Sequence, residues 1–293
     1  MCPGTVSTGR LANRSNQLLV YASFVKVEHG LFSLPLIFAG TLLYSRGWFG
    51  GRLALLIAVG AIGARVVAMG LNRLIDADMD ARNPRTKGRE LPRGAMRKTE
   101  ARSIVVAAGF LYVATAAAIA PVCLLLSPIP VALFAGYPYL KRVTALSHLG
   151  LGLAWSMAPL GGWLAASKSL EHFDEVAWLW VFSILWVAGF DIIYALLDEA
   201  FDRKEGLKSL PASLGKRQAL RVARITHALA FLSLAALWRE QLYSPVALWW
   251  LIGVGFLFVW QHVIAERDPE KAFFKLNAPI GFMVLAMVMA GMR

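Results

Sequence analysis

The chain has 293 residues, of which 58% are hydrophobic and only 16% are charged, and its mean hydropathy is +0.57. A soluble domain carries roughly a quarter charged residues, so this composition excludes an ordinary water-soluble protein and indicates a membrane protein. The net charge of +12 does not indicate nucleic-acid binding, because the basic residues are concentrated in particular loops between apolar segments.

Long apolar runs without period-2 alternation predict membrane-spanning helices rather than the strands of a barrel. About nine such segments follow one another along the chain, with boundaries that are soft by several residues. They lie at about 17–44, 51–75, 100–120, 122–140, 144–166, 176–197, 217–238, 245–264 and 275–292. The predicted fold class is therefore all-α, a polytopic transmembrane bundle of about nine helices that forms a single domain over residues 1–293.

The polar N-terminal stretch has no short apolar core followed by a small-residue cleavage site. We therefore expect no cleaved signal peptide, and the first spanning segment is expected to direct insertion. Cys2 lies in this stretch and Cys123 in an apolar run. These positions exclude a disulfide framework and a CxxC metal site.

The loops alternate between rich and poor in lysine and arginine. Those after the second, fourth, sixth and eighth segments are rich, so the positive-inside rule places them and the N-terminus in the cytoplasm. The chain is thus predicted to lie in the inner or plasma membrane of the cell. The two longest of these loops, about 76–99 and 198–216, also hold most of the acidic residues and are too long to be simple connectors. Chemistry is therefore expected there.

Two acidic clusters with the same spacing lie at the ends of the second and sixth segments. The first comprises Asn72, Asp76 and Asp80, and the second comprises Tyr194, Asp198 and Asp202. The spacing i, i+4, i+8 places each set along one face of a helix. With paired segments between them, both clusters should emerge on the same side of the membrane.

Two facing pairs of carboxylates fit Mg2+, which prefers oxygen ligands and takes one or two carboxylates together with substrate phosphate oxygens. Two or three such ions around a diphosphate would stabilise it as a leaving group, and nearby basic residues would neutralise the remaining charge. The alternative is a purely structural role, in which the acids are solvated residues paired with neighbouring arginines. Two copies at equal spacing, each followed by a basic loop, favour the functional interpretation.

The stretches NRLIDADMDARNPRTKGRELPRGAM and GFDIIYALLDEAFDRKEGLKSLPASLG resemble the two aspartate-rich motifs of the UbiA superfamily of intramembrane aromatic prenyltransferases. The resemblance covers nearly the whole chain and implies a nine-helix bundle with a central cavity, capped by the cytoplasmic loops. Within the superfamily the motifs most resemble the branch that prenylates 4-hydroxybenzoate, a ubiquinone-type quinone precursor. A close branch prenylates a dihydroxynaphthoate in menaquinone synthesis, and the motifs do not separate the two.

The resemblance also implies roles for individual residues. The Mg2+ ligands would be Asp76, Asp80, Asp198 and Asp202. Asp76, Asp198 and Asp191 would be catalytic, with Asp191 orienting or activating the aromatic acceptor. The substrate-binding residues would be Asn72, Arg89, Tyr139, Lys141, Arg142, Tyr194, Lys204 and Lys208.

The expected reaction is Mg2+-dependent transfer of a prenyl group from its diphosphate to a small aromatic acceptor, within membrane lipid. Neither nucleic acid nor an obligate protein partner is expected. One alternative is a CDP-alcohol phosphotransferase, but that family clusters its acids in one continuous motif. Another is a divalent-cation transporter, which would place acids near the bilayer midplane rather than beside basic loops.

Several other polar or small residues carry structural expectations. Lys26, Glu28 and His29 are predicted to form a network that holds helices together, and Asn277 is predicted to form an interhelical hydrogen bond. Arg65 is expected to pair with a buried acid or a carbonyl rather than with substrate. The small residues of GLGLAW and APLGG predict close helix packing or room for a prenyl tail.

Overall fold

The computed structural model describes residues 20–26 and 30–292, without the side chains of residues 30–32. Cys2, Glu28 and His29, and with them the network predicted around Lys26, lie outside these ranges. The described chain contains helices and no strand. In order, the helices are α1 (20–25), α2 (Gly30–Ser45), α3 (Gly51–Arg82), α4 (Lys98–Ile119), α5 (Pro121–Leu126), α6 (Pro128–Val143), α7 (Ser147–Ser167), α8 (Asp174–Ala195), α9 (Glu199–Lys204), α10 (Leu210–Leu214), α11 (Lys216–Gln241), α12 (Pro245–Ala265) and α13 (Pro269–Gly291).

Eight helical segments in the described part of the chain are long and apolar enough to cross a membrane. The short helices α5 and α6 form one of these segments, Pro121–Val143, and α8 and α9 form another, Asp174–Lys204. A shorter apolar helix, Ser33–Ser45, accompanies them. The prediction of an all-α bundle of about nine helices is therefore confirmed.

The second spanning helix is longer than its apolar run predicts. It ends at Arg82 rather than near residue 75, because the acidic stretch contains neither glycine nor proline until Pro84. This extension carries Asp76 and Asp80 on regular helix, so the spacing places both carboxylates on one buried face.

Helices α2 and α7 approach so closely that their backbones touch. A Cβ atom built on Gly162 would lie 2.0 Å from the carbonyl oxygen of Ile37, and one on Gly40 would lie 2.0 Å from that of Pro159. Gly152 similarly faces the carbonyl of Ile184 on α8. The close helix packing predicted from the small residues of this segment is confirmed.

A buried polar cluster joins α8, α12 and α13 inside the apolar core. The Asn277 side-chain oxygen accepts hydrogen bonds from Trp186 Nε1 at 3.2 Å and from Gln261 Nε2 at 3.1 Å. Asn277 is fully buried. Its predicted interhelical hydrogen bond is therefore confirmed, and it fixes the rotation of these three helices about one another.

The glycine pair at 161 and 162 provides a test of this packing. We expect Gly162→Ala to destabilise the protein by about 1–3 kcal/mol, because the added methyl group overlaps backbone that cannot move aside. No atom of the described residues lies within 4 Å of the Cβ position at Gly161, so Gly161→Ala should be neutral or stabilise by about 0.5–1 kcal/mol through helix propensity. Thermal unfolding of both variants in detergent measures the difference, and equal shifts would contradict the packing.

Candidate active site

The first acidic cluster lies on the last turns of α3. Asp76 and Asp80 are 3% and 7% exposed, and Asn72 donates a hydrogen bond from Nδ2 to Asp76 at 3.4 Å. Asp78 lies between them in sequence but points away, with 86% of its side chain exposed, and pairs with Lys98 at 3.0 Å. The helix therefore separates two buried acids from one solvated acid.

Basic side chains contact both buried acids of this cluster. Lys141 Nζ lies 2.9 Å from Asp76 Oδ2, and Arg142 Nη2 lies 3.5 Å from Asp76 Oδ1. Arg89 Nη1 donates to both carboxylate oxygens of Asp80, at 2.7 and 2.8 Å. These contacts bring Asp76, Asp80, Arg89, Lys141 and Arg142 together at the end of α3.

The second acidic cluster departs from the geometry that its spacing predicts. A 3₁₀ turn at Leu196–Asp198 interrupts the helix, so Tyr194, Asp198 and Asp202 do not lie along one continuous α-helical face. Tighter winding through the turn shifts the later residues around the axis. Asp202 is buried.

Asp198 is held by two residues of the loop that follows α3. Asn83 Nδ2 donates to Asp198 Oδ1 at 2.8 Å, and Arg85 pairs with both carboxylate oxygens, with Nε at 2.9 Å from Oδ1. Arg85 also donates to the Tyr194 hydroxyl at 2.7 Å and lies over that ring. Burial alone would lower the pKa of Arg85, but these hydrogen bonds raise it above its usual value, so the guanidinium stays charged.

The two clusters lie at the same end of the bundle and are joined by direct contacts. The contacts from Asn83 and Arg85 to Asp198 join the end of α3 to the end of α8. A backbone hydrogen bond of 2.7 Å runs from Lys208 to the Lys141 carbonyl. The charge of Lys141, which binds Asp76, also lies within electrostatic reach of Asp202. Acids and bases from both halves of the chain therefore meet at this end of the bundle.

The remaining residues that the sequence predicted to bind substrate lie around these two clusters or on the nearby loops. Tyr139 is 49% exposed, and the Arg142 guanidinium lies 4.9 Å from the centre of its ring. Tyr194 packs against Phe273 of α13, with ring centroids 4.3 Å apart. The side chains of Lys204 and Lys208 are exposed, and within the described ranges they make no hydrogen bond or ion pair with either cluster.

Asp191 lies on α8 and contacts a histidine that the sequence analysis did not identify. His148 Nδ1 is 2.7 Å from Asp191 Oδ2, and His148 Nε2 accepts the backbone N–H of Leu210 at 3.2 Å. Because Nε2 accepts, the proton of the neutral ring is on Nδ1 and is donated to Asp191. His148 and Asp191 are 43 positions apart in the sequence, and no motif or spacing predicts that they are in contact.

An elongated apolar cavity of about 360 Å³ opens among α2, α3, α4, α6 and α7. Its lining extends from Tyr137, near the acidic clusters, to Leu170 and Phe173 at the other end of the bundle. Tyr137 is within electrostatic reach of Asp76, Asp191, Arg65 and Arg89, so this wall connects the cavity to the charged site. The cavity therefore reaches, at Tyr137, the end of the bundle that carries Asp191 and the two clusters.

Arg65 lies in the wall of this cavity. As predicted, it pairs with a carbonyl, that of Lys26, at 3.5 Å. Its guanidinium also lies 5.7 Å from the centre of the Trp155 ring. Arg65 is the one charged residue among the described residues that line the cavity.

The acidic residues do not by themselves form a complete metal site. Within the described residues no three acidic, histidine or cysteine side chains lie close enough to hold an ion. Mg2+ does not need such a cage, since it keeps waters and shares substrate phosphate oxygens. Asp76 Oδ1 is buried, and no group in the described part of the chain donates a hydrogen bond to it, which leaves an oxygen ligand facing the basic residues. The carboxylates present would therefore fit Mg2+ if water and substrate supplied its remaining ligands.

Glu90 organises the loop between α3 and α4. It accepts hydrogen bonds from Ser23 at 2.6 Å, and it lies 3.6 Å from Arg73, which is itself 3% exposed. Its carbonyl accepts the N–H groups of Ala95 and Met96. Burial alone would raise the pKa of Glu90, but the Ser23 hydrogen bond and the charge of Arg73 lower it below its usual value.

We expect Glu90→Ala to destabilise the protein by about 3–5 kcal/mol, because it leaves Arg73 buried without its counter-charge. Since the pKa of Glu90 is lowered on folding, its stabilising effect is complete above the usual glutamate range and is lost as the pH falls through the lowered value. Thermal unfolding across acidic pH measures both effects. Glu171→Ala, at an exposed position, is the control and should change neither.

Apolar spanning helices around an apolar cavity, with acidic and basic residues grouped at one end of the bundle, indicate an integral membrane protein with a candidate site for an amphiphilic anion. The model of the UbiA prenyltransferase family matches residues 33–286. A 4-hydroxybenzoate octaprenyltransferase from Vibrio atlanticus is 32% identical over 233 residues, covering 77% of this chain and 80% of the relative.

Comparison with solved structures indicates the same family. A UbiA homolog from Aeropyrum pernix K1 superimposes with a TM-score of 0.84 at 36% identity, covering 91% of this chain and 98% of the homolog. A UbiA homolog from Archaeoglobus fulgidus bound to GPP and Mg2+ shares the fold, with a TM-score of 0.69 at 19% identity, covering 93% and 99% of the two chains. The chain belongs to the UbiA prenyltransferase family, and it is a membrane-embedded prenyltransferase.

Proposed function

We propose that this enzyme transfers a polyprenyl group from its diphosphate to the ring of 4-hydroxybenzoate. The observation that carries the proposal is the meeting of two acidic clusters, each with bound basic side chains, beside an apolar cavity. A prenyl diphosphate has the matching shape, an anionic head on an apolar tail. The relative from Vibrio atlanticus, named 4-hydroxybenzoate octaprenyltransferase, supports the choice of acceptor.

The diphosphate head would lie between the clusters, with the prenyl tail in the cavity. Mg2+ held by Asp76, Asp80, Asp198 and Asp202 would neutralise the diphosphate and make it a better leaving group. Binding of GPP and Mg2+ by the homolog from Archaeoglobus fulgidus supports this assignment. Arg85, Arg89, Lys141 and Arg142 already lie on these carboxylates, so they are placed to contact the phosphate oxygens as well.

The reaction then breaks the C–O bond between the prenyl carbon and the diphosphate. The allylic carbon becomes cationic, pyrophosphate leaves with the bonding electrons, and a ring carbon ortho to the phenol attacks the cation. Loss of the ring proton restores aromaticity. The apolar cavity wall keeps water away from the cation.

Asp191 would accept or hydrogen-bond the phenol proton of the acceptor, which raises the nucleophilicity of the ring. His148 fixes the orientation of Asp191 by donating from Nδ1, so it acts as a positioning residue.

The chain is further proposed to lie in the inner or plasma membrane with both acidic clusters at the cytoplasmic face. The excess of lysine and arginine in the loops at that end supports this orientation. Labelling of single cysteines placed in the loop after α3 and in the loop between α7 and α8, using a membrane-impermeant reagent on intact cells, tests it. Labelling of the cysteine in the loop after α3, without labelling of the cysteine between α7 and α8, would contradict the cytoplasmic placement of the acidic clusters.

The function is tested with purified protein, Mg2+, geranyl diphosphate and a panel of hydroxylated aromatic acids, with products identified by mass. We expect a prenylated 4-hydroxybenzoate that disappears when EDTA is added. Faster turnover of a dihydroxynaphthoate than of 4-hydroxybenzoate would show that the enzyme belongs to the branch that acts in menaquinone synthesis. Failure to prenylate any acceptor, together with metal uptake by protein-containing liposomes, would favour the transporter alternative.

A further inference from the structure

A second groove, of about 800 Å³, lies between α11 and α12, on the outer surface of the bundle and away from the candidate active site. Its apolar wall includes Phe231, Leu232, Val259 and Val263, and the last three are 59%, 66% and 63% exposed. In a membrane these side chains face lipid, and an apolar groove open to lipid must be filled by a hydrocarbon chain.

The floor of the groove holds a chain of hydrogen bonds through two histidines. His227 is 1% exposed, and its Nε2 lies 3.2 Å from the carbonyl oxygen of Trp186. A carbonyl only accepts, so the proton of the neutral ring is on Nε2, and His227 Nδ1 accepts from His262 Nε2 at 3.0 Å. This leaves His262 Nδ1 as an acceptor, and it is buried with no hydrogen-bond partner among the described residues.

The end of the groove nearest the acidic clusters is strongly basic. Arg217, Arg221 and Arg224 are exposed and recur at i, i+4, i+7, so they lie along one face of α11 that continues into the groove wall. Glu266 at the end of α12 is the opposing acid, and it pairs with Arg224. Three arginines against one glutamate leave an excess of positive charge at the level where lipid headgroups lie.

We propose that this groove binds an anionic phospholipid with a hydroxylated headgroup, of the phosphatidylglycerol type. One acyl chain lies between α11 and α12, the phosphate contacts Arg221 and Arg224, and a headgroup hydroxyl donates to His262 Nδ1 or Glu266. The charge excess selects an anion, and the two acceptors select a headgroup that carries O–H donors. The active site is not involved, because none of the groove residues belongs to the acidic clusters.

The test uses the full-length protein, stripped of lipid in detergent, with lipid binding measured by native mass spectrometry and by thermal shift. Phosphatidylglycerol is expected to bind more tightly than phosphatidylcholine. The double variant Arg221→Gln/Arg224→Gln should weaken phosphatidylglycerol binding by roughly fivefold for each arginine, or about 25-fold in total. Arg239→Gln, an exposed arginine at the other end of α11, is the matched control and should have no effect.

A second variant, Ala228→Trp, fills the apolar part of the groove and leaves the arginines in place. It should also reduce phosphatidylglycerol binding while leaving the unfolding temperature in phosphatidylcholine unchanged. Equal binding of phosphatidylcholine, tighter binding of phosphatidylethanolamine, or an equal loss in Arg239→Gln would each overturn the proposal. Because lipid binding is measured without substrate, these results are independent of the prenyl-transfer assay.

Discussion

Replacing Asp76 with asparagine is expected to lower the rate of prenyl transfer by roughly 10²–10³-fold. The substitution keeps the shape of the side chain and removes only its charge. Asp76 is buried, contacts Lys141 and Arg142, and carries the open oxygen that fits a metal ligand. Loss of its charge should therefore weaken the binding of Mg2+, the ion that in the proposed mechanism would neutralise the diphosphate as it leaves. Initial rates at saturating acceptor, over a series of Mg2+ concentrations, measure the effect.

Asp78→Asn is the matched control for this experiment. Asp78 lies two residues away on the same helix, but its side chain is 86% exposed and pairs with Lys98. We expect less than a twofold change in rate, since an exposed ion pair contributes little and does not face the site. Equal losses in Asp76→Asn and Asp78→Asn would show that the first acidic cluster acts through general charge rather than through a defined site.

Asp191→Asn is expected to lower kcat by roughly 10²–10⁴-fold, the usual contribution of a general base. The KM for the prenyl diphosphate should remain unchanged, because Asp191 pairs with His148 and not with the residues of the two acidic clusters. The asparagine oxygen can still accept from His148, so the loss reports the missing proton acceptor rather than a change in position. Full turnover and an unchanged acceptor KM in this variant would show that Asp191 does not take part in the reaction.

Variants of His148 separate positioning from folding. His148→Ala removes the hydrogen bond to Asp191 and should lower kcat by roughly tenfold to 100-fold, because a misplaced catalytic group loses alignment. In His148→Asn an amide N–H can replace the Nδ1 donor, so activity should be partly restored. A fall in prenyl diphosphate binding in both variants would instead indicate that His148 only supports the loop at Leu210.

The sequence by itself determined the membrane fold and which carboxylates of the first acidic cluster share a face. Long apolar runs can span a bilayer only as helices, and the spacing of Asn72, Asp76 and Asp80 on a regular helix fixed which carboxylates share a face. The same logic separates Asp78, which falls on the opposite face. These features follow from local geometry, so no knowledge of distant contacts was needed.

Only the tertiary structure decided which distant residues complete the site. Arg85 appeared in the sequence as one basic loop residue among many, and it becomes the partner of Asp198 because the ends of α3 and α8 lie side by side. His148 reaches Asp191 across the α7–α8 contact, and the 3₁₀ turn before Asp198 redirects the second cluster. Spacing along a chain fixes the direction of a side chain within its own helix, whereas contacts between helices depend on how those helices pack.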